Sequence, residues 1–213
     1  MDNVIEDFKD RVEEIDNYLK MLEILLDPEV QIRIRDRTKS ISKSESTLKG
    51  AFFLLLYSLV ESTIKKGIER LYATINSEEE CITFFKKEVA EIWFGQQCQS
   101  KIMEEFVNKV FENETLVLDT KVEFSGNLDA KKIREIFEKH SIRTIVHYRA
   151  RKGGELLTVK TRRNNLAHGD SFSECGRDYT TADLHRIKKS TVVFLRGLLK
   201  NIEKHIGEKK YAI

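Results

Sequence analysis

Apolar residues recur at intervals of three and four along most of this chain, which is the spacing of one face of an α-helix. Over residues 2–26 this spacing gives a single apolar stripe, and Asp27 and Pro28 follow it. Because a proline disfavours helical backbone in the residue before it, the first predicted helix ends there. The stripe consists of Val4, Ile5, Phe8, Val12, Ile15, Leu19, Leu22 and Leu26.

A second, longer helix is predicted over 46–75. It is centred on an apolar run from Ala51 to Val60 that only Ser58 interrupts. A helix that crosses a bilayer needs about 20 apolar residues, so this run is too short and predicts a buried core helix instead. Two further helical stripes follow it, the first with Phe84, Phe85, Val89, Ile92 and Trp93, the second with Ile102, Met103, Phe106, Val107 and Val110.

Residues 115–124 alternate between apolar and polar and include β-branched side chains, so we expect an extended segment there. A single short strand at this place has no obvious partner. Residues 125–127 cap a short predicted helix over about 128–140.

Two glycines at 153–154 precede the next predicted helix, from Glu155 to Ala167, and a variant of the capping box at 180–183 begins the last one. The longer irregular pieces are expected at 33–43 and 169–180. The pattern predicts an all-α, antiparallel helical bundle that forms one domain over residues 1–213.

Composition narrows the class of protein. The chain has 213 residues, 40% of them hydrophobic, and a net charge of +2, which fits a folded domain and neither a disordered nor a membrane-embedded chain. The acidic first seven residues lack the basic region and apolar stretch of a secretion signal, so we expect a cytoplasmic protein. Cys81, Cys98 and Cys175 form no CxxC pair, which indicates reduced thiols. We expect no metal site and no cofactor.

Positive charge is concentrated in one part of the chain. Between Arg143 and Arg163 there are seven lysines or arginines and one acid, Glu155. Charge runs of this kind often form solvated helix faces, but a basic segment is also what binding of an RNA backbone requires. A second basic stretch, 33–43, is interpreted as a surface or mobile connection.

The basic segment leads into a pair of residues suited to phosphodiester chemistry. Arg163 can bind phosphate oxygens with a permanent charge, and His168 can accept or donate a proton near neutral pH. Five positions of α-helix give about 140° of net rotation, so one regular helix does not place both on one face. Gly169 is expected to end the helix and so to free His168.

The residues around this pair are assigned roles with alternatives. Asn164 orients the substrate or His168, or it is an exposed or capping residue; Asn165 is expected to be structural. Lys160 and Arg162 are interpreted as contacts to backbone phosphates. Glu61 interrupts the apolar helix and either pairs with Arg163 or Arg162 or is an exposed acid.

The other histidines are given no role in catalysis. Arg134 and His140 repeat the spacing of the first pair to within one residue, but His140 is expected to be peripheral. His185 and His205 are expected to face solvent on the last helix, and His147 is a lone imidazole.

Three stretches, in this order, resemble the HEPN superfamily and within it the prokaryotic MAE-like branch. They are LLYSLVEST at 55–63, FSGNLDAKKIRE at 124–135 and LLTVKTRRNNLAHGDSFSECGRDYT at 156–180, the last with Arg163, four intervening residues and His168. The resemblance spans about residues 45–206. It implies a metal-independent endoribonuclease from a toxin–antitoxin or phage-defence system that acts as a homodimer.

Chemistry also favours two copies, because cleavage through the RNA 2′-hydroxyl needs a base, an acid and cations around one phosphate. A two-fold axis would supply two histidines and two arginines. The alternative is a catalytically silent HEPN-type module that binds nucleotide, RNA or a partner protein such as an antitoxin.

Overall fold

The computed structural model describes residues 1–27, 29–30, 32–34, 37–39, 44–97, 115–124 and 126–213. Within these ranges the fold is a helical bundle, as predicted. The helices are α1 (Asp2–Leu26), α2 (Glu45–Asn76), α3 (Lys87–Gln97), α4 (Ala130–Lys139), α5 (Glu155–Ala167), α6 (Phe172–Gly176) and α7 (Thr181–Gly207). Short 3₁₀ segments cover Ile82–Phe84 and Tyr148–Gly153. The predicted apolar stripe at 102–110 and Cys98 lie outside the described residues.

Helix α2 is the centre of the bundle and packs against α1, α5, α6 and α7. By length and composition alone it could cross a membrane, but 56% of its most apolar stretch is buried inside the protein. Phe52, Phe53 and Leu56 have no exposed surface. The helix therefore has the burial expected of a core helix.

The first helix ends as predicted, because Asp27 has extended backbone with ψ 122° before Pro28. The stretch 33–43, interpreted as a connection, belongs in part to a β-hairpin that the sequence pattern did not predict. Strands β1 (Ile32–Ile34) and β2 (Arg37–Lys39) form an antiparallel hairpin in which Ile34 pairs with Arg37.

The segment 115–124 is not helical, as expected, and finds partners in two ways. Thr115 forms an isolated bridge with Cys81. The side-chain amide of Asn76 then donates to the carbonyl of Leu118 and accepts its N–H, both at 2.8 Å. The Asn76 side chain, at the end of α2, thus forms the pair of backbone hydrogen bonds that a neighbouring strand would otherwise form.

The region 169–180, expected to be irregular, contains the short helix α6. Ser171 and Glu174 form a capping box at its start. A Cβ added to Gly176 would lie 2.4 Å from the backbone nitrogen of Gly50, so these two glycines let α6 approach α2 closely. The next capping box, from Thr180 and Asp183, begins α7 as predicted.

Candidate functional site

The Arg163 and His168 pair lies at the C-terminal end of α5, which has the predicted bounds. Leu156 and Val159 are buried and fix the helix on the core. The backbone N–H of His168 still donates to the carbonyl of Asn164 at 2.9 Å. The chain then turns away at Gly169, whose φ of +107° favours glycine.

Arg163 is half-buried, and its guanidinium is held from two sides. Its carbon lies 4.9 Å from the centre of the Tyr57 ring, a cation–π contact. Its Nη1 donates to the carbonyl of Gly126 at 3.3 Å and to Oδ1 of Asn164 at 3.1 Å. The charge is therefore placed by aromatic, backbone and amide contacts while part of the side chain stays accessible.

Gly126 is required by this arrangement. Its φ is +71°, and a Cβ at this position would lie 2.9 Å from both terminal nitrogens of Arg163. A side chain here would be strained and would displace the guanidinium.

Tyr57 is a site residue that sequence reasoning missed. It is 3% exposed, and its hydroxyl accepts the backbone N–H of Leu128 at 3.1 Å. Burial raises the pKa of Tyr57, the charge of Glu61 adds to the rise and Arg163 opposes it. Its only signal in the sequence was its place in the apolar stretch 55–63.

Asn164 joins the arginine to the segment before α4. Its side-chain amide accepts from Arg163 and donates to Oδ1 of Asn127 at 2.8 Å. The contact positions Arg163 directly. The backbone carbonyl of Asn165 accepts the N–H groups of His168 and Asp170 at the end of the helix, which is compatible with the structural role expected for this residue.

His168 is exposed at the end of the helix. Its imidazole makes no hydrogen bond or ion pair with any residue in the described ranges, so it is available to a substrate. Because the backbone of His168 keeps the helical hydrogen bond, the rotation of about 140° from Arg163 is retained. The Cα atoms of Arg163 and His168 therefore lie at different angles around the axis of α5.

Lys160 and Arg162 are both engaged within the chain. The ammonium group of Lys160 donates to Asp129. Burial raises the pKa of the Asp129 carboxyl group, but the Lys160 bond and charge, together with the backbone N–H groups of Lys131 and Lys132, lower it overall. Arg162 donates to the Tyr179 hydroxyl at 3.0 Å and lies 3.7 Å from Asp178. The Tyr179 hydrogen bond raises the pKa of Arg162. A phosphate would have to share these cations with their present partners.

Glu61 is half-buried and pairs with neither Arg162 nor Arg163 among the residues that the structure describes. It lines a cavity of about 540 Å³ together with Ser58, Ser62 and Lys65. The negative charge of Glu61 acts on the site through Tyr57, one turn earlier on α2, because it helps to raise the pKa of the Tyr57 hydroxyl. Of the two alternatives for Glu61, the ion pair is not formed among the described residues and the side chain is half-buried rather than exposed, and an orienting role for Glu61 stays a prediction.

Two expectations about the other histidines are wrong. His140 is buried, with Nε2 at 2.7 Å from the Tyr72 hydroxyl and Nδ1 at 2.6 Å from the carbonyl of Ile136. His205 is 3% exposed. Both rings belong to the core: His140 stacks on Tyr72, 68 residues away, and the centre of the His205 ring lies 6.2 Å from that of the Tyr211 ring. His185 is half-buried, so the expectation that it faces solvent holds only in part, and its Nε2 lies 2.8 Å from Glu23.

Within the described ranges no three His, Cys, Asp or Glu side chains come together as metal ligands would. Of the thiols in these ranges, Cys175 is buried and Cys81 half-buried, and both are free.

The comparisons with known proteins agree with the resemblance noted above. A family model described as MAE_28990-like HEPN matches residues 1–211, a wider span than the three stretches alone indicate. No curated protein and no solved structure matches the chain significantly. The chain belongs to the MAE_28990-like HEPN family.

Proposed function

We propose that this protein is a metal-independent endoribonuclease that acts as a toxin or phage-defence effector. HEPN domains are generally associated with ribonucleases, and this chain retains both Arg163 and His168. The observation that supports the proposal most is that the two side chains differ in how they are held by the rest of the protein. Arg163 is fixed in place by Tyr57 and Gly126, whereas the His168 imidazole is exposed and unengaged among the described residues.

The reaction uses the 2′-hydroxyl of the RNA as nucleophile. His168 accepts its proton, the 2′-oxygen attacks phosphorus, and the bond from phosphorus to the 5′-oxygen breaks. Arg163 stabilises the negative charge that develops on the phosphate oxygens. The products are a 2′,3′-cyclic phosphate and a 5′-hydroxyl.

The leaving 5′-oxygen needs a proton, and one copy has a single histidine at this site. We infer that His168 of a second copy donates it across a two-fold axis, so that the active form is a homodimer. The number of groups that the reaction needs supports this arrangement, because a two-fold axis would bring two histidines and two arginines around one phosphate.

The test is incubation of the purified protein with unpaired RNA and with DNA of the same sequence in excess EDTA. We expect cleavage of the RNA only, since DNA lacks the 2′-hydroxyl. Sedimentation at the assay concentration should show a dimer. RNA that survives intact, cleavage that EDTA abolishes, or an active monomer would contradict the proposal. Binding of RNA without cleavage would point to the silent module.

A further inference from the structure

An open groove of about 880 Å³ lies at the N-terminal end of α5, away from Arg163 and His168. Two of its large apolar side chains face solvent, because Ile145 is 65% exposed and Leu157 is 56% exposed. Four cations also line the groove, Lys131, Arg134, Arg151 and Lys152. The surface therefore combines apolar area with positive charge.

Tyr148 is 76% exposed. In the sequence it lies between Val146 and Arg151, two residues that line the groove. Its ring contacts both sequence neighbours, and the guanidinium carbon of Arg149 lies 5.8 Å from its centre. The His147 ring lies against it with centres 4.3 Å apart, and Nε of Arg149 donates to its hydroxyl at 3.2 Å. Nδ1 of His147 accepts the backbone N–H of Arg149 at 3.1 Å. An aromatic ring with this much exposed surface offers area on which a base can stack.

The two cations that follow Tyr148 are held outward by an unusual turn. Arg151 and Lys152 have φ values of +46° and +54°, which cost energy for residues other than glycine. The guanidinium of Arg134 donates to the carbonyl of Lys152, and Arg151 lies 3.5 Å from Glu155. These contacts stabilise a turn that leaves both cations exposed.

One segment of the chain, residues 126–129, runs from the candidate active site to the groove. The segment 126–129 follows α5 in the opposite direction, with Gly126 bonded to Arg163 and Asp129 bonded to Lys160. Asp129 also lines the groove. From Leu157 to Arg163 the helix rises by about 9 Å, so a short stretch of nucleic acid reaches from one to the other.

We propose that Tyr148 and this groove form a binding site for unpaired RNA beside the cleavage site. Bases stack on Tyr148 and on the apolar surface, and phosphates contact Arg151 and Lys152. This inference rests on the proposed ribonuclease function and specifies the form of its substrate. A second copy docked groove to groove would place these cations against one another across a two-fold axis, so the charge favours RNA as the occupant.

The experiment measures binding of a fluorescent single-stranded RNA with 2′-O-methyl groups, which block cleavage. We expect Tyr148→Ala to weaken binding roughly tenfold, as loss of one stacked base does, and Tyr148→Phe to bind like the wild type. Arg151→Asn with Lys152→Asn should reduce the salt dependence, and asparagine tolerates the left-handed backbone. Lys87→Asn, on α3 with a side chain 84% exposed, is the control for loss of one charge.

Unchanged binding by Tyr148→Ala and by the double variant would overturn the inference. If these variants bind RNA unchanged but sediment as monomers where the wild type is a dimer, the groove is a contact between copies and the inference is also overturned. If the wild type cleaves RNA in either case, the proposed function survives. If the wild type neither binds nor cleaves RNA, both fail. Binding that depends on Tyr148 without any cleavage supports the groove and contradicts the nuclease.

Discussion

The guanidinium of Arg163 lies 4.9 Å from the centre of the Tyr57 ring, whose hydroxyl accepts the backbone N–H of Leu128 at 3.1 Å. One buried side chain of the core helix thus supports both the proposed catalytic cation and the segment that enters α4. The two functions of Tyr57 can be separated by substitution.

Tyr57→Phe keeps the ring under Arg163 but leaves the N–H of Leu128 without its acceptor. Leu128 is buried, so we expect a loss of about 1 to 3 kcal/mol in the free energy of unfolding. Ribonuclease activity per folded molecule should change little. Tyr57→Leu removes the ring as well and should lower activity further. Urea unfolding with parallel RNA cleavage assays measures both, and equal activity of the two variants would argue against a positioning role for the ring.

Gly126→Ala should reduce activity through Arg163. The substitution places a Cβ 2.9 Å from the guanidinium nitrogens at a φ of +71°, so the cation must move and the backbone is strained by about 1 kcal/mol or more. Gly95→Ala on α3 is the matched control, because among the described residues no atom outside its own helix backbone lies within 4 Å of a Cβ there. Cleavage rates of the two variants at equal folded concentration provide the test. Equal rates would show that the Gly126 contact does not position Arg163.

His140→Ala should behave as a core substitution. It leaves the Tyr72 hydroxyl without its partner and opens space in the bundle, at a cost on the order of 2 kcal/mol or more. His185→Ala, at a half-buried position on the bundle surface whose side chain is 42% exposed, should cost much less. Urea unfolding compares them. Loss of RNA cleavage by a folded His140→Ala protein, with stability preserved, would instead assign the catalytic role to His140.

Stability should fall in mild acid. Burial lowers the pKa of His205 to about 4 and also lowers that of His140, whereas both titrate near 6.5 in the unfolded chain. The unfolded state therefore binds more protons between these values, so the free energy of unfolding decreases as pH falls from about 6.5 towards 4. The free energy of unfolding measured at pH 7 and at pH 5 tests this. We expect His205→Leu to weaken the dependence of that free energy on pH. A free energy that rises on acidification would contradict it.

The sequence predicted those parts of the fold that depend on periodic apolar spacing or on strong local breaks. The bounds of α5 follow from the glycines at 153–154 and from Gly169, and the core position of α2 follows from its apolar run. Helix α6 escaped prediction because five residues are too few to show a period. The hairpin of β1 and β2 escaped it because each strand has three residues.

The site was predicted less completely, because its contacts join distant parts of the chain. Arg163 and His168 were identified from local spacing and family resemblance. Tyr57 and Gly126 could not be assigned to Arg163 by any local pattern, since they come from other elements of the bundle. The burial of His140 had the same cause, because its partner Tyr72 is 68 residues away.

The proposed ribonuclease mechanism requires that His168 take part in cleavage of RNA. The most direct measurement is analysis of the RNA ends produced in EDTA by the wild type, by His168→Ala and by His185→Ala, each shown to be folded. We expect 2′,3′-cyclic phosphate ends from the wild type and from His185→Ala, and a loss of roughly 10² to 10⁴ in rate for His168→Ala. Undiminished formation of these ends by a folded His168→Ala protein would contradict the account.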